Sequence, residues 1–364
     1  MARDGAGSLN MALSEEQTKE IEALCRTMSI TRMIDYGMTR EKALLAHHRV
    51  REGSPLDLVL EEMAHEDELR ADAAHDAASA CESWHAAAVG LIFAQMAFNA
   101  DSDRKRKLYR RMTRCFARFA ALSKYPATKV EVPYRQGTLF GWHFQPVEER
   151  TRASVIVFGG MSGWSTAYRS MAEALCLRGI DCFLVDGPRQ GESRLEGGIH
   201  ADDDVAGGLS RFVDLALMCS PSERIGLWGN SYGGLLAALT AIRDSRVHAC
   251  CINGAPPRTE VPPFRTAQEQ LAAMFGCSDP DLLTERVSAL VFDGRRVPIA
   301  CATLVLEGGA DALVKSGSQS AFLEGNTAPQ SRLKSWPDGE HTIYNHGDAR
   351  NALVADWFSA VLRT

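Results

Sequence analysis

The chain lacks any surplus of basic charge: 40 lysines and arginines stand against 46 aspartates and glutamates in 364 residues, a net charge of −6. That balance excludes the basic face that nucleic-acid binding requires. No apolar run approaches the ~18 residues of a membrane span. The opening stretch, MARDGAGSLNMALSEEQ, carries acidic and small residues where a secretory signal places a positive segment and then an apolar one. The expectation is a soluble, cytoplasmic protein with neither nucleic acid nor membrane as a partner. Cysteine is not scarce, but a C-x-x-C pair is absent: the ten thiols at 25, 81, 115, 176, 182, 219, 250, 251, 277 and 301 are scattered, mostly in apolar runs. They read as reduced core residues rather than a disulfide framework or a zinc site.

Glycine and proline are scarce between Ser14 and about Ser123, where polar and apolar residues alternate with helical spacing. In DSDRKRKLYRRMTRCFARFAAL the residues Leu108, Tyr109, Met112, Phe116 and Phe119 mark one helix face. Pro126 breaks the pattern. Beyond it come short apolar segments separated by glycine-rich turns: SVIVFGG, DCFLVDG, IGLWGNS, VHACCING and ATLVLEGG. Segments apolar throughout, rather than alternating, suit a parallel sheet covered on both faces. The predicted organisation is therefore an all-helical N-terminal unit over residues 1–127 and an α/β unit, mostly a parallel doubly wound sheet, over 128–364. A helical, proline-punctuated insertion is expected at about 256–297.

Within GLWGNSYGG, Ser231 follows one of these apolar segments and precedes the helical run GGLLAALTAI. A sharp strand-to-helix turn with small neighbours is what lifts a serine clear of the backbone as a nucleophile. Such a serine needs a base, and the base needs a carboxylate to fix its tautomer. Both are expected later in the chain. Asp311 lies in a glycine-rich loop after ATLVLEGG, with Glu307 as the competing acid; His341 follows LKSWPDGE, with His346 as its rival. The oxyanion formed by attack on a carbonyl needs preorganised N–H donors. The amides of Met161, in FGGMSGW, and of Tyr232 are the candidates, and Gly160 lets the backbone approach closely. Ser162, Trp164 and Tyr168 follow as candidate pocket residues.

Together, VIVFGGMSGW, LVDGPRQGES, GLWGNSYGG, LEGGADALV and DGEHT resemble the α/β-hydrolase superfamily. The helical N-terminal region followed by F-G-G and D-G-P-x-Q-G-E-S is similar to the group of dihydroxypseudooxynicotine hydrolase and the fungal pigment chain-shortening hydrolases. The resemblance implies a helical cap over the site and no cofactor. It also implies cleavage of a carbon–carbon bond in a β-diketone-like group, or of an ester, in a small polyketide or aromatic substrate through Ser231, Asp311 and His341. Dimerisation through the cap is a further implication. Elimination of acetate from an acetylated polyketide such as a tetronate is the rival reaction, and a catalytically inactive binding protein the rival class. Arg189 stands where the group's pattern often has glycine; it reads either as a contact to an acidic substrate or, preferably, as a solvated loop residue.

The remaining features favour plain structural readings. His65, His75 and His85 lie roughly three helical turns apart, too far for one metal ion, and read as part of a solvated acidic face. Asp202, Asp203 and Asp204 read as caps of the following helix. The apolar run from Val89 to Phe98, with Trp84 and Met96 nearby, serves equally as pocket wall or cap core.

Overall fold

The computed structural model describes residues 14–148, 150–200, 204–219 and 223–363. Six helices come first: α1 (Glu15–Thr27), α2 (Ile30–Asp35), α3 (Arg40–Arg51), α4 (Leu56–Asp72), α5 (Ala77–Met96) and α6 (Asp103–Leu122). Local chemistry sets their starts. Ser14, Ser29, Thr39, Asp76 and Ser102 each accept a backbone N–H of the first turn through the side chain, satisfying a donor the helix cannot. On α6, Leu108, Tyr109, Met112, Phe116 and Phe119 are all buried, the face the spacing predicts.

The histidines depart from expectation. They do not share a helix, because the chain turns between Asp72 and Ala77. His65 is exposed beside Glu68, and His75 lies exposed in the turn. His85 is buried against the Phe119 ring, and its burial pushes its pKa well down. A solvated face therefore describes only two of the three.

From Ala127 the chain builds an eight-stranded sheet in the order β1-β2-β4-β3-β5-β6-β7-β8. Its strands are β1 (Ala127–Tyr134), β2 (Gly137–Phe144), β3 (Ala153–Phe158), β4 (Asp181–Asp186), β5 (Arg224–Asn230), β6 (Val247–Asn253), β7 (Ala302–Gly308) and β8 (Arg332–Trp336). β2 runs antiparallel to both neighbours, β1 and β4, and every other pairing is parallel. All residues of β3, β4 and β7 are buried, which explains their unbroken apolar texture. The two-residue alternation of a strand survives within it: Val155 and Val157 face one core, Ile156 and Phe158 the other.

The helices of this half are α7 (Arg169–Cys176), α8 (Gly191–Leu195), α9 (Val205–Cys219), α10 (Tyr232–Ala241), α11 (Arg265–Phe275), α12 (Pro280–Ser288) and α13 (Gly347–Val361). α11 and α12 lie between β6 and β7, in the stretch expected to be a helical insertion. The core containing Val155 and Val157 also contains Phe93, Met112 and Phe116, so α1–α6 and one face of the sheet share a single apolar interior. Asp204 accepts the Gly207 amide at 3.0 Å, a cap as expected; Asp202 and Asp203 lie outside the described residues. All ten cysteines are free and eight are buried, but Cys219 is exposed, contrary to the core reading. No helix among the described residues is long and apolar enough to cross a membrane.

Candidate active site

Ser231 sits at the carboxyl end of β5, where the chain turns into α10 with φ 55° and ψ −132°. Serine rarely adopts that backbone, and close packing maintains it. A Cβ on Gly229 would fall 2.1 Å from the Gly233 carbonyl oxygen, and one on Gly233 would fall 2.3 Å from that of Gly159. The Ser231 amide donates to the Asn253 carbonyl at 2.7 Å, anchoring the turn to β6.

Asp311 and His341 reach the same edge from the loops after β7 and β8. His341 Nε2 lies 2.8 Å from Ser231 Oγ, and His341 Nδ1 lies 2.8 Å from Asp311 Oδ2. Asp311 Oδ1 accepts the amides of Leu313 and Val314 at 2.7 and 3.0 Å. Burial pushes the Asp311 pKa up, but the hydrogen bond and charge of His341 and these two amides outweigh it and hold it below the ordinary range. Of the rivals, Glu307 bonds Ser316 Oγ and the Gly317 amide. His346 pairs with Asp338 at the surface. Neither joins the group around Ser231.

The His341 loop is itself strained: Thr342 and Ile343, both β-branched, have φ of 50° and 63°. The Thr342 carbonyl is gripped by Arg350 Nη1 at 2.9 Å and Asn253 Nδ2 at 3.1 Å. Arg350, fully buried in α13, also forms a bidentate pair with Asp35 of α2 at 2.8 and 3.1 Å.

The turn after β3 faces the serine. A Cβ on Gly160 would fall 2.9 Å from both Ser231 Cβ and the Tyr232 nitrogen. Gln190 Nε2 donates to the carbonyl oxygens of Gly159 and Gly160, the latter at 3.1 Å. Because N–H and C=O oppose each other across a trans peptide, tying down the Gly160 carbonyl aims the Met161 N–H the other way. Among the described residues neither the Met161 nor the Tyr232 amide has a protein acceptor, and Tyr232 N–H is an orphan donor at the start of α10. Arg32 of α2 donates to the Ser162 carbonyl and hydroxyl at 3.0 and 3.2 Å, holding the turn from the cap side. Tyr168 packs its hydroxyl against the turn: a Cβ on Gly163 would fall 2.3 Å from it.

The loop DGPRQGES is organised by Asp186, which accepts the amides of Ser165 and Glu192 at 2.8 and 2.9 Å and the Tyr109 hydroxyl at 3.0 Å. Arg189 corrects the sequence reading. It is not solvated: it is 0% exposed, and its Nη1 donates to the Tyr232 hydroxyl at 2.5 Å. Its guanidinium lies 4.3 Å from the Phe275 ring centroid. A positive φ of 71° directs it inward, which no local sequence signal announces. Gln190, Arg32 and Arg350 were likewise not singled out by sequence. Gln190 lay within a quoted motif, but its role depends on contacts 30 and 31 residues away.

A mostly parallel sheet in this strand order, with serine, acid and histidine arriving from the ends of β5, β7 and β8, decides the architecture. The chain has the α/β-hydrolase fold, with an N-terminal helical cap. Residues 149–292 match the family model described as serine aminopeptidase, S33. Comparison with curated proteins finds no match. Among solved structures, this α/β-hydrolase-fold chain is similar to the 2,6-dihydroxy-pseudo-oxynicotine hydrolase, with a TM-score of 0.80 and 24% identity over 92% of this chain and 96% of that one. It is also similar to AbyA5, with a TM-score of 0.66 and 17% identity over 85% and 90% of the two chains. The Pyrococcus furiosus esterase Pf2001 aligns over 65% of this chain and 94% of its own, with a TM-score of 0.50 and 20% identity. The first two likenesses extend through the helical cap of the hydrolase fold, since each spans well over four-fifths of this chain.

Proposed function

We propose that the protein is a serine hydrolase acting at a substrate carbonyl. The observation that carries this reading is the continuous relay from Asp311 through His341 to Ser231 Oγ, with both contacts at 2.8 Å. His341 Nε2 takes the serine proton as Oγ bonds to the carbonyl carbon, and Asp311 steadies the imidazolium that forms. Met161 and Tyr232 N–H groups receive the oxyanion. Collapse breaks the bond to the leaving group, which takes the proton from His341. Water then attacks the acyl-enzyme by the same route in reverse order, releasing an acid and restoring the serine.

The substrate we propose is a small polyketide or aromatic carbonyl compound, cleaved at an ester or at a carbon–carbon bond next to a second carbonyl. In the latter case the leaving carbon departs as an enolate, which the neighbouring carbonyl stabilises. Support comes from the 2,6-dihydroxy-pseudo-oxynicotine hydrolase, whose name denotes an aromatic substrate and whose cap and sheet are both matched here. Against base-driven elimination stands the direct hydrogen bond that the Ser231 hydroxyl donates to His341 Nε2, which engages the base with the serine proton.

The test is intact-protein mass spectrometry after incubation with a fluorophosphonate. Wild type should gain one adduct and Ser231→Ala none, and Ser231→Ala should lose turnover on any substrate found by about ten-thousandfold or more. Turnover that survives Ser231→Ala but not His341→Ala would establish elimination. An unlabelled wild type without turnover would favour a binding protein.

A further inference from the structure

Next to the turn after β3 is a cavity of about 10 Å³, room for a single water-sized group. Met161 and Ser162 form one wall; Lys105, Trp164 and Arg194 line it with Met96 and Phe98, and the polar Asn99 and Gln270 complete it. Lys105 is 3% exposed and Arg194 is 4% exposed. Only Arg194 has a carboxylate, Asp101, at 3.0 Å. Lys105 donates to a single neutral acceptor, the Phe98 carbonyl at 2.7 Å, while its ammonium lies 5.2 Å from the Trp164 ring centroid. Among the described residues the Trp164 indole N–H and Arg194 Nε are buried without an acceptor.

A buried ammonium holding three N–H donors against one carbonyl is costly unless something supplies the missing charge. The charged groups facing Lys105 are Arg194, which opposes its charge, and Asp101, which favours it but already serves Arg194. Burial, with Arg194 adding to it, pushes the Lys105 pKa down to about 7. The region is thus short of one negative charge and holds spare donors around a space that fits one ligand oxygen. Arg189, fully buried with Nε and Nη2 unpartnered among the described residues, accepts Arg194 Nη1 at its carbonyl at 3.2 Å and extends the cationic region behind Tyr232.

We propose that this cavity recognises an anionic oxygen of the substrate, a carboxylate or an enolate, with Lys105 as its counter-ion and the Trp164 indole N–H as a second donor. The inference rests on the hydrolase reading for its substrate, and it makes that substrate an acid whose charge lies beside the turn that carries the Met161 amide. Lys105 is a binding residue here and takes no part in bond breaking.

The test uses the Ser231→Ala full-length protein, which binds esters without turning them over, and two probes of similar length: para-nitrophenyl hydrogen glutarate, ionised throughout, and the neutral para-nitrophenyl pentanoate. Calorimetry should find the acidic ester bound at least about tenfold more tightly, the scale of one charge-assisted hydrogen bond. Lys105→Met should erase that preference. It should also fade as pH rises from about 6 to about 9, because the ammonium gives up its proton over that range. Equal affinities, or a preference that survives Lys105→Met, overturn the proposal. Should Lys105→Met fail to fold by circular dichroism, the pH series decides alone, and a flat preference overturns it. A wild type that no fluorophosphonate labels, combined with an intact preference for the acid, would reject the nucleophile while keeping the anion site.

Discussion

Ser231 holds a backbone conformation that costs a non-glycine residue about 1–3 kcal/mol, and the surrounding glycine contacts impose it. The chemistry and the stability of this position should therefore oppose each other. Ser231→Gly is expected to raise the unfolding free energy by about 1 kcal/mol in urea titrations while abolishing fluorophosphonate labelling. Asp311 has the reverse character, because its folded-state pKa is depressed by His341 and two amides despite burial. A carboxylate of this kind stabilises the fold at every pH above its unfolded pKa and loses that contribution as pH falls through the folded value. Asp311→Asn should therefore flatten the acid limb of the stability profile below about pH 4. It should also lower turnover by about ten-thousandfold through loss of the correct tautomer. Urea denaturation across the acid range, together with steady-state rates, checks both.

At the scale of elements, α2 and α13 form one unit with the His341 loop. Arg350 bonds Asp35 and the Thr342 carbonyl from a fully buried position. Burial pushes the Asp35 pKa up even with Arg350 beside it, so the carboxylate depends on its partner. Arg350→Met should cost about 3–5 kcal/mol by stranding that charge and should also slow labelling of Ser231, because the strained turn behind His341 loses one of its two anchors. Chemical denaturation and the second-order rate of fluorophosphonate inactivation measure the two effects. How much of this was legible in the sequence depends on range. The strands, α6 and the elbow announce themselves through periodicity and neighbouring glycines, and the serine, acid and histidine could be placed because each follows a recognisable strand. Lys105 could not be found: it lies in RKRKLYRR, where adjacent cations look uniformly solvated, and only its place on the inward face of α6 buries it. Arg189 was misread for the same reason, since burial of a loop residue is decided by what folds over it.

For the whole molecule, the decisive feature is the single apolar interior shared by α1–α6 and one face of the sheet. Deleting residues 1–122 would uncover Trp142, Phe144, Trp164 and Tyr168, whose rings pack against Phe116, Tyr109 and Tyr36. The truncated chain is expected to aggregate rather than remain soluble, as gel filtration would report. The same continuity bears on how a ligand enters. Thr31 bonds Glu340 beside His341, and Arg32 bonds Ser162 in the turn opposite, so swinging α2 aside would break its holds on the His341 loop and on the facing turn at once. The seam between Asn99 and α11 carries two side-chain hydrogen bonds among the described residues, Asn99 to Glu269 and Gln270 to Asn99, both at 2.9 Å. It borders the cavity that holds Lys105. A ligand passing that seam would leave the bonds of α2 to Glu340 and Ser162 intact, so the relay would not have to open to admit it.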